Sequence, residues 1–383
     1  MNILKTFAFA SFLFSPLLWA QQATSLPCKG ENPGDSRPRI GLVLGGGGAR
    51  GIAHVSVIKE LERLGVPIDC IAGTSMGSLV GGLYASGMTS GELETLFRTM
   101  DWQTVLKDDV PRDERSFRRK QDDLESLAPI KPGVGKGGLK VSSGLIAGEN
   151  IQLFLERQIG KSAGISDFNQ LPIPYRAVAT NINTGKAEVL GSGSLAQAMR
   201  ASMSIPGAFN PVTINGKILV DGGLVNQVPI DVVRAMGADI VIAVDVGTPL
   251  QTIDSASSAL AIGDQIMGFL TVGNTDEQLK TLTGKDVLIQ PNLGNEVTTA
   301  SFEKFEIALQ IGDQAARQAS AKLALLANPV HATPPQIADG NKLKTVGFVE
   351  LVNDTKYDDR VFTVQLQGLV GKPLDYDAIE DRM

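Results

Sequence analysis

Gly73, Thr74, Ser75, Met76 and Gly77 form a G-x-S-x-G run between an apolar stretch, "DCIA", and a helix-like stretch, "MGSLVGGLYAS". A serine on a sharp strand-to-helix turn has its Oγ lifted clear of the sheet. Glycines at both flanks remove the side chains that would collide there. A serine hydroxyl becomes a useful nucleophile only when a base takes its proton, and ester cleavage also needs donors for the oxyanion. The run "GGGGARG" supplies candidate donors in Gly46, Gly47 and Gly48. Bare glycine N–H groups can approach a developing negative charge, and the helix that opens at Gly51 adds its positive end. Arg50 can hold this loop or favour an anionic substrate.

The base has few candidates, because the chain has two histidines. His331 lies in a Pro-rich stretch beyond the α/β region. His54 lies one turn into the helix after the glycine loop, whereas a Ser-His-Asp hydrolase of the α/β type carries its histidine after the acid. Either the enzyme is of another kind, or a carboxylate acts directly on the serine. In "LVDGGLVNQVP", Asp221 ends a strand, and Gly222 and Gly223 permit a sharp turn; Asp245, ending "DIVIAVDVG", competes with it. The rival reading is a non-catalytic α/β module that binds an anion or nucleotide. Gly46, Gly48 and Gly51 spell G-x-G-x-x-G, but the acid that follows, Asp69, opens the second strand instead of closing it.

These groups need a scaffold, and the hydrophobic pattern provides one. "RIGLVLGGGGARG" reads as a buried strand, a loop and a helix start, with Ile52, Val55, Ile58, Leu61 and Leu64 on one helical face. The strand of Ser75 follows, so the chain opens β-α-β-α, the pattern of a parallel sheet with right-handed crossovers. Further strands are predicted at "YRAVATNI", "KAEVL", "DIVIAVDVG" and "DVLIQP", and helices at "ENIQLFLERQIG", "LAQAMRAS", "PIDVVRAMGA" and residues 303–327. Asn215 and Gly216 join two β-rich runs as a hairpin. This α/β unit spans 39–327. A Pro-rich linker occupies 328–341, and a separate partial unit 342–383.

The 383 residues are 43% hydrophobic, enough for a large core, and the net charge of −6 argues against nucleic acid as a partner. Residues 1–20 have one lysine, an apolar run and a terminal Ala20, the layout of a cleaved secretory signal peptide. Cys28 and Cys70 form no metal site. An oxidising compartment could join them in one bridge, but Cys70 falls in a buried strand, where a free thiol is a common apolar filler, so the expectation leans to two unpaired cysteines. Arg112, Arg115, Arg118, Arg119 and Lys120 surround Phe117 and form either a solvated face or a contact for anionic lipid.

The order "GGGGARG", "GTSMG", "DGG" resembles the patatin-like phospholipases, and "RASMSIPGAFNP" is similar to the segment that precedes the family's DGG strand. The resemblance implies a three-layer α/β/α sandwich with a mainly parallel central sheet. It implies a lipid acyl hydrolase with a Ser75–Asp221 dyad, no catalytic histidine, oxyanion donors at Gly46, Gly47 and Gly48, and no cofactor or metal. Gly51, Gly73, Gly77, Gly222 and Gly223 are its motif glycines. Gly45 stands where some relatives carry Asp, away from the dyad. The implied partners are a phospholipid or other lipid ester and a membrane surface, with a homodimer allowed. The tail, "GLVGKPLDYDAIEDRM", resembles the start of an α+β POTRA module. Leader, patatin domain and POTRA module in this order resemble the bacterial patatin-type autotransporters, which implies a secreted, cell-surface or outer-membrane location and a following β-barrel.

Overall fold

The computed structural model describes residues 26–28, 37–106, 108, 133–135, 138–140, 144–250, 259–328, 345–349, 351 and 358–373. The leader, the 112–120 basic run, His331 and nearly all of the 328–341 linker lie outside the described residues.

An eight-stranded sheet organises the α/β unit. Its strands are β1 (Ile40–Leu44), β2 (Cys70–Thr74), β3 (Tyr175–Asn181), β4 (Lys186–Leu190), β5 (Val212–Ile214), β6 (Lys217–Asp221), β7 (Ile240–Val244) and β8 (Val287–Ile289). The order is β8-β7-β1-β2-β3-β6-β5, with β4 also paired to β3. The run from β8 to β3 is parallel, whereas β4, β5 and β6 pair antiparallel. The sheet is therefore mixed, and the strand carrying Asp221 belongs to its antiparallel part. The short β5–β6 connection dictates this: Asn215 and Gly216 both take positive φ, 51° and 74°, as a tight two-residue hairpin requires.

Helices cover both faces. β1 shows why: Leu42 and Leu44 pack into one apolar cluster and Val43 into another, the two-residue alternation of a strand. On the first face lie α1 (Ala53–Leu64), α2 (Met76–Ala85), α3 (Leu195–Ser202) and, further along, α6 (Phe305–Ala324). On the second lies α4 (Ile230–Met236). The helix at α1 buries Ile52, Val55, Ile58 and Leu61, as its periodicity predicts. The three-layer arrangement thus matches the expectation. Two of the longer elements have no counterpart in the sequence reading: the helix Ser90–Thr99 and α5 (Ala259–Leu279), whose residues lack a clear apolar stripe.

The cysteine expectation is corrected. Cys28 and Cys70 form a disulfide, with their Cα atoms 5.0 Å apart. The segment around Cys28 lies against the second face, where its N–H donates to the Met236 carbonyl at 2.9 Å. A long-range docking of the N-terminal segment onto β2 makes the pair, and local pattern carries no trace of it.

Candidate active site

Ser75 sits between β2 and α2 with φ 53° and ψ −123°. A non-glycine residue in this region costs about 1–3 kcal/mol, and such strain clusters at functional sites. The flanking glycines are required by contact. A Cβ on Gly77 would lie 2.1 Å from the Leu44 carbonyl oxygen, and one on Gly73 2.4 Å from the Gly77 oxygen. On Gly51 it would strike Met76 at 2.5 Å. So the turn, β1 and the glycine loop interlock at spacings that only glycine allows. The Ser75 N–H donates to Ser202 Oγ at 2.9 Å, and Ser202 Oγ donates to the Val178 carbonyl at 2.5 Å.

The sheet register brings Asp221 to the same level. Thr74 pairs with Val178 in β3, and Asp221 pairs with Ala179 from the other side. One step beyond Thr74, Ser75 is level with Ala179. The two residues therefore face each other across β3, about 10 Å apart by strand spacing, near enough for their side chains to meet. Gly222 makes the turn after Asp221 possible, because a Cβ there would lie 2.1 Å from the Val178 oxygen. Gly223 N–H donates to Asp221 Oδ1 at 2.8 Å, and Thr180 Oγ1 donates to the Asp221 carbonyl at 2.7 Å.

Asp221 Oδ2 is buried and makes no formed hydrogen bond. Burial pushes the carboxyl up to about 6, and the nearby Ser75 hydroxyl and the Gly223 N–H pull it back from a still higher value. A carboxylate poised near neutrality, with a free oxygen beside a serine, can act as a general base.

Of the three predicted donor N–H groups in the glycine loop, two are free. Gly46 N–H is already bonded to the Gln227 carbonyl at 3.0 Å, so Gly46 is removed from the predicted oxyanion set. Gly47 and Gly48 line the cavity with Ser75 and Asp221, and among the described residues neither N–H has a partner. Gly48 has φ 55° and lies against the Thr299 carbonyl, which accepts from Ala49 N–H at 2.9 Å. A cavity of about 400 Å³ opens over these groups, with Leu224 and Met267 among its apolar walls.

Residues 42–234, just over half of the chain, match the patatin-like phospholipase family model. The chain belongs to that family, a family of lipid ester hydrolases. The lysophospholipase NTE1 of Yarrowia lipolytica is 36% identical over 236 residues, covering 57% of this chain and 14% of that protein. An uncharacterized NTE family protein of Mycobacterium bovis is 34% identical over 211 residues, covering 55% of this chain and 50% of its own length. The matched segments thus span half or less of these relatives. Among solved structures, VipD from Legionella pneumophila aligns with a TM-score of 0.41 at 17% identity, covering 74% of this chain and 66% of that one. The type III effector ExoU aligns with a TM-score of 0.37 at 14% identity, over 76% of this chain and 53% of its own.

Within this patatin-like site, Arg50 does not take the anion-binding role. It is buried, and its guanidinium donates to the carbonyls of Val246, Gly247, Gly294 and Val297 at 2.7–2.9 Å. Four of its five N–H donors go to these carbonyls, so it staples the glycine loop to the segments after β7 and β8. His54 is likewise structural. Its Nε2 lies 2.8 Å from the Gly45 carbonyl, and burial lowers its pKa to about 4. The ring is neutral at pH 7 and donates to that carbonyl. Asp245 accepts from Gly247 N–H and Gln290 Nε2 at 2.9 and 3.0 Å. Asp69 holds Arg37 and the Ile40 N–H, at the end of the sheet away from the loop. That leaves the nucleotide reading without its ribose-binding acid.

Sequence reasoning missed three positions. Ser202 fixes the backbone of Ser75. Gln227 ties the acid's loop to the glycine loop, with Nε2 donating to the Gly46 carbonyl at 2.8 Å. Asn274 clamps α5 onto the same loop, donating to the Gly223 carbonyl and accepting from Gln227 N–H at 2.9 and 2.7 Å. Ser202 and Gln227 lie inside stretches that the motifs mark, but nothing local distinguishes them from neighbours. Asn274 has no sequence signal at all.

Proposed function

We propose that this protein is a serine lipid acyl hydrolase, of phospholipase A or lysophospholipase type, that works with a Ser75–Asp221 dyad. The observation that carries the proposal is the buried Asp221 carboxyl, level with Ser75 across β3, with Oδ2 free and its pKa near 6. Asp221 takes the Ser75 proton as Oγ attacks the ester carbonyl. The tetrahedral oxyanion is held by the Gly47 and Gly48 N–H groups. Collapse releases the alcohol, for which protonated Asp221 supplies the proton. Water then hydrolyses the acyl-enzyme with Asp221 again as base. Family membership and a cavity with apolar walls support a lipid ester as substrate.

A fluorophosphonate probe tests this reading. Covalent labelling is expected at Ser75 and is expected to vanish in Ser75→Ala. Asp221→Asn is expected to remove p-nitrophenyl ester turnover with the fold intact. A non-catalytic anion-binding module would take up no probe.

Export is part of the proposal, supported by the leader-like composition of residues 1–20. The POTRA-like tail supports an autotransporter context, with the hydrolase acting at a membrane surface outside the cell, as monomer or homodimer. N-terminal sequencing of the mature protein, with a start expected near Gln21, tests the export step.

A further inference from the structure

The ladder between β2 and β3 is interrupted at Ser75. Ile71 N–H donates to the Pro174 carbonyl at 2.9 Å. Along a parallel pair the same bond recurs at every second residue, so the register brings Ser75 N–H towards the Val178 carbonyl. That bond is not made directly. The Ser202 hydroxyl stands in it, accepting from Ser75 N–H at 2.9 Å and donating to the Val178 carbonyl at 2.5 Å. Ser202 is fully buried at the end of α3. Two residues on, the Ser204 carbonyl accepts from Asp221 N–H at 2.9 Å. Ser75 and Asp221 flank β3 on opposite sides, and one turn of chain holds the backbone of both.

We infer that Ser202 is a positioning residue for Ser75: its inserted hydroxyl, together with the Ser204 carbonyl, sets the separation of the two members of the dyad. The inference rests on the Ser75–Asp221 reading. A direct ladder bond would draw Ser75 N–H to within about 2.9 Å of the Val178 oxygen. The inserted hydroxyl holds the two further apart, so the strained turn at Ser75 stands clear of β3. The turn that carries Ser202 is itself held firmly. Arg200, also buried, donates to Ser204 Oγ at 2.6 Å and to the carbonyls of Ala147, Gly148 and Asn210 at 3.0–3.3 Å. Its guanidinium lies 4.8 Å from the centre of the Phe209 ring. Position 202 requires a hydroxyl because one short side chain must accept and donate at once. Alanine there either leaves the Ser75 N–H and the Val178 carbonyl unpaired or lets them close on each other and carry Ser75 towards β3. Both displace Oγ from Asp221, and a misplacement of about 1 Å can cost a reaction about 100-fold.

The test uses the full chain, a fluorophosphonate probe and a soluble p-nitrophenyl ester. Ser202→Ala is expected to slow labelling of Ser75 and to lower kcat about 10-fold or more. KM is expected to stay within about 2-fold, the pattern of an interaction that matters only in the transition state. Ser202→Cys is close to serine in size but a poorer donor and acceptor. It is expected to act in the same direction and keeps the space filled should the alanine variant not fold. The acidic limb of the pH profile is a readout that stability does not move. Burial raises the Asp221 carboxyl to about 6 against the pull of the Ser75 hydroxyl and the Gly223 N–H, so a displaced Ser75 is expected to move the limb to higher pH. Leu195→Ala, a core truncation at the other end of α3, is expected to lower Tm and to leave kcat and the limb in place. Labelling of both Ser202 variants at the parent rate, with an unmoved limb, overturns the inference and leaves the dyad standing. So does an equal loss of kcat in the Leu195 variant, which would make the effect one of general loosening. A parent that takes up no probe removes the dyad reading, and the inference with it.

Discussion

Both backbone polar groups of Gly46 end on Gln227: its N–H donates to the Gln227 carbonyl at 3.0 Å, and its carbonyl accepts from Gln227 Nε2 at 2.8 Å. Gln227 follows Asp221 by one short loop, so this double bridge ties the glycine loop to the segment carrying Asp221. One residue, through its backbone carbonyl and its side chain, thus fixes the separation of the proposed oxyanion donors from the proposed base.

Gln227→Ala removes the side-chain half of the bridge and leaves the Gly46 carbonyl unpaired. A loss of about 1–3 kcal/mol in stability is expected. Turnover is expected to fall about 10-fold or more with KM little changed, because the loop positions donors for the transition state. Steady-state kinetics with thermal unfolding check this. Equal falls in kcat and rises in KM would assign Gln227 to substrate binding instead.

The pH profile should carry one acidic limb. Asp221 must be ionised to accept the Ser75 proton, so kcat/KM is expected to rise with pH through about 6 and level off above it. His54→Ala is expected to reduce activity through the loop while leaving this limb in place. Loss of the limb in that variant would make the histidine the base.

Asp221 also has a stability signature. Its folded pKa lies above its unfolded value of 3.8. The folded state therefore binds more protons between about pH 4 and 6, and stability from this group is lost as pH rises through 6. The loss is up to about 3 kcal/mol. Asp221→Asn is expected to be inactive and more stable than the parent at pH 8, with the advantage vanishing below pH 4. Urea unfolding at the two pH values measures it.

At Gly47 an added Cβ would lie 2.9 Å from a Val246 methyl and 3.0 Å from its carbonyl oxygen. Gly47→Ala must therefore displace the loop, and a fall in kcat of about 10²-fold is expected, the scale for losing one oxyanion donor. Fluorophosphonate labelling should slow in parallel. Labelling at the parent rate would remove Gly47 from the oxyanion role.

Arg50 and the disulfide support the site from a distance. Arg50→Ala is expected to cost about 3 kcal/mol or more by unpairing buried carbonyls, with no change in preference between anionic and neutral substrates. Cys28→Ser is expected to cost about 4 kcal/mol, the chain-entropy value for a loop of 42 residues. Thermal unfolding and head-group competition check the first; unfolding with and without reductant checks the second.

The features legible in the amino-acid order are those set by short-range sterics and by composition. Apolar runs and 3.6-residue periodicity mark β1, α1, β2, β3, β7, β8 and α6, because a strand or helix must bury apolar surface wherever it packs. Positive φ at Asn215 and Gly216 follows from their identity. Glycines two places from Ser75 mark a crowded turn, and the scarcity of histidine turns attention to Asp221. What the tertiary structure alone decided depends on neighbours distant in the chain. Whether an N–H or a guanidinium is free depends on which carbonyls the fold brings to it. For Gly46 the carbonyl comes from Gln227, and for Arg50 four carbonyls come from two segments beyond Asp221. Pairing of Cys28 with Cys70 depends on where the N-terminal segment docks. The role of α5 depends on Asn274 reaching the loop after Asp221.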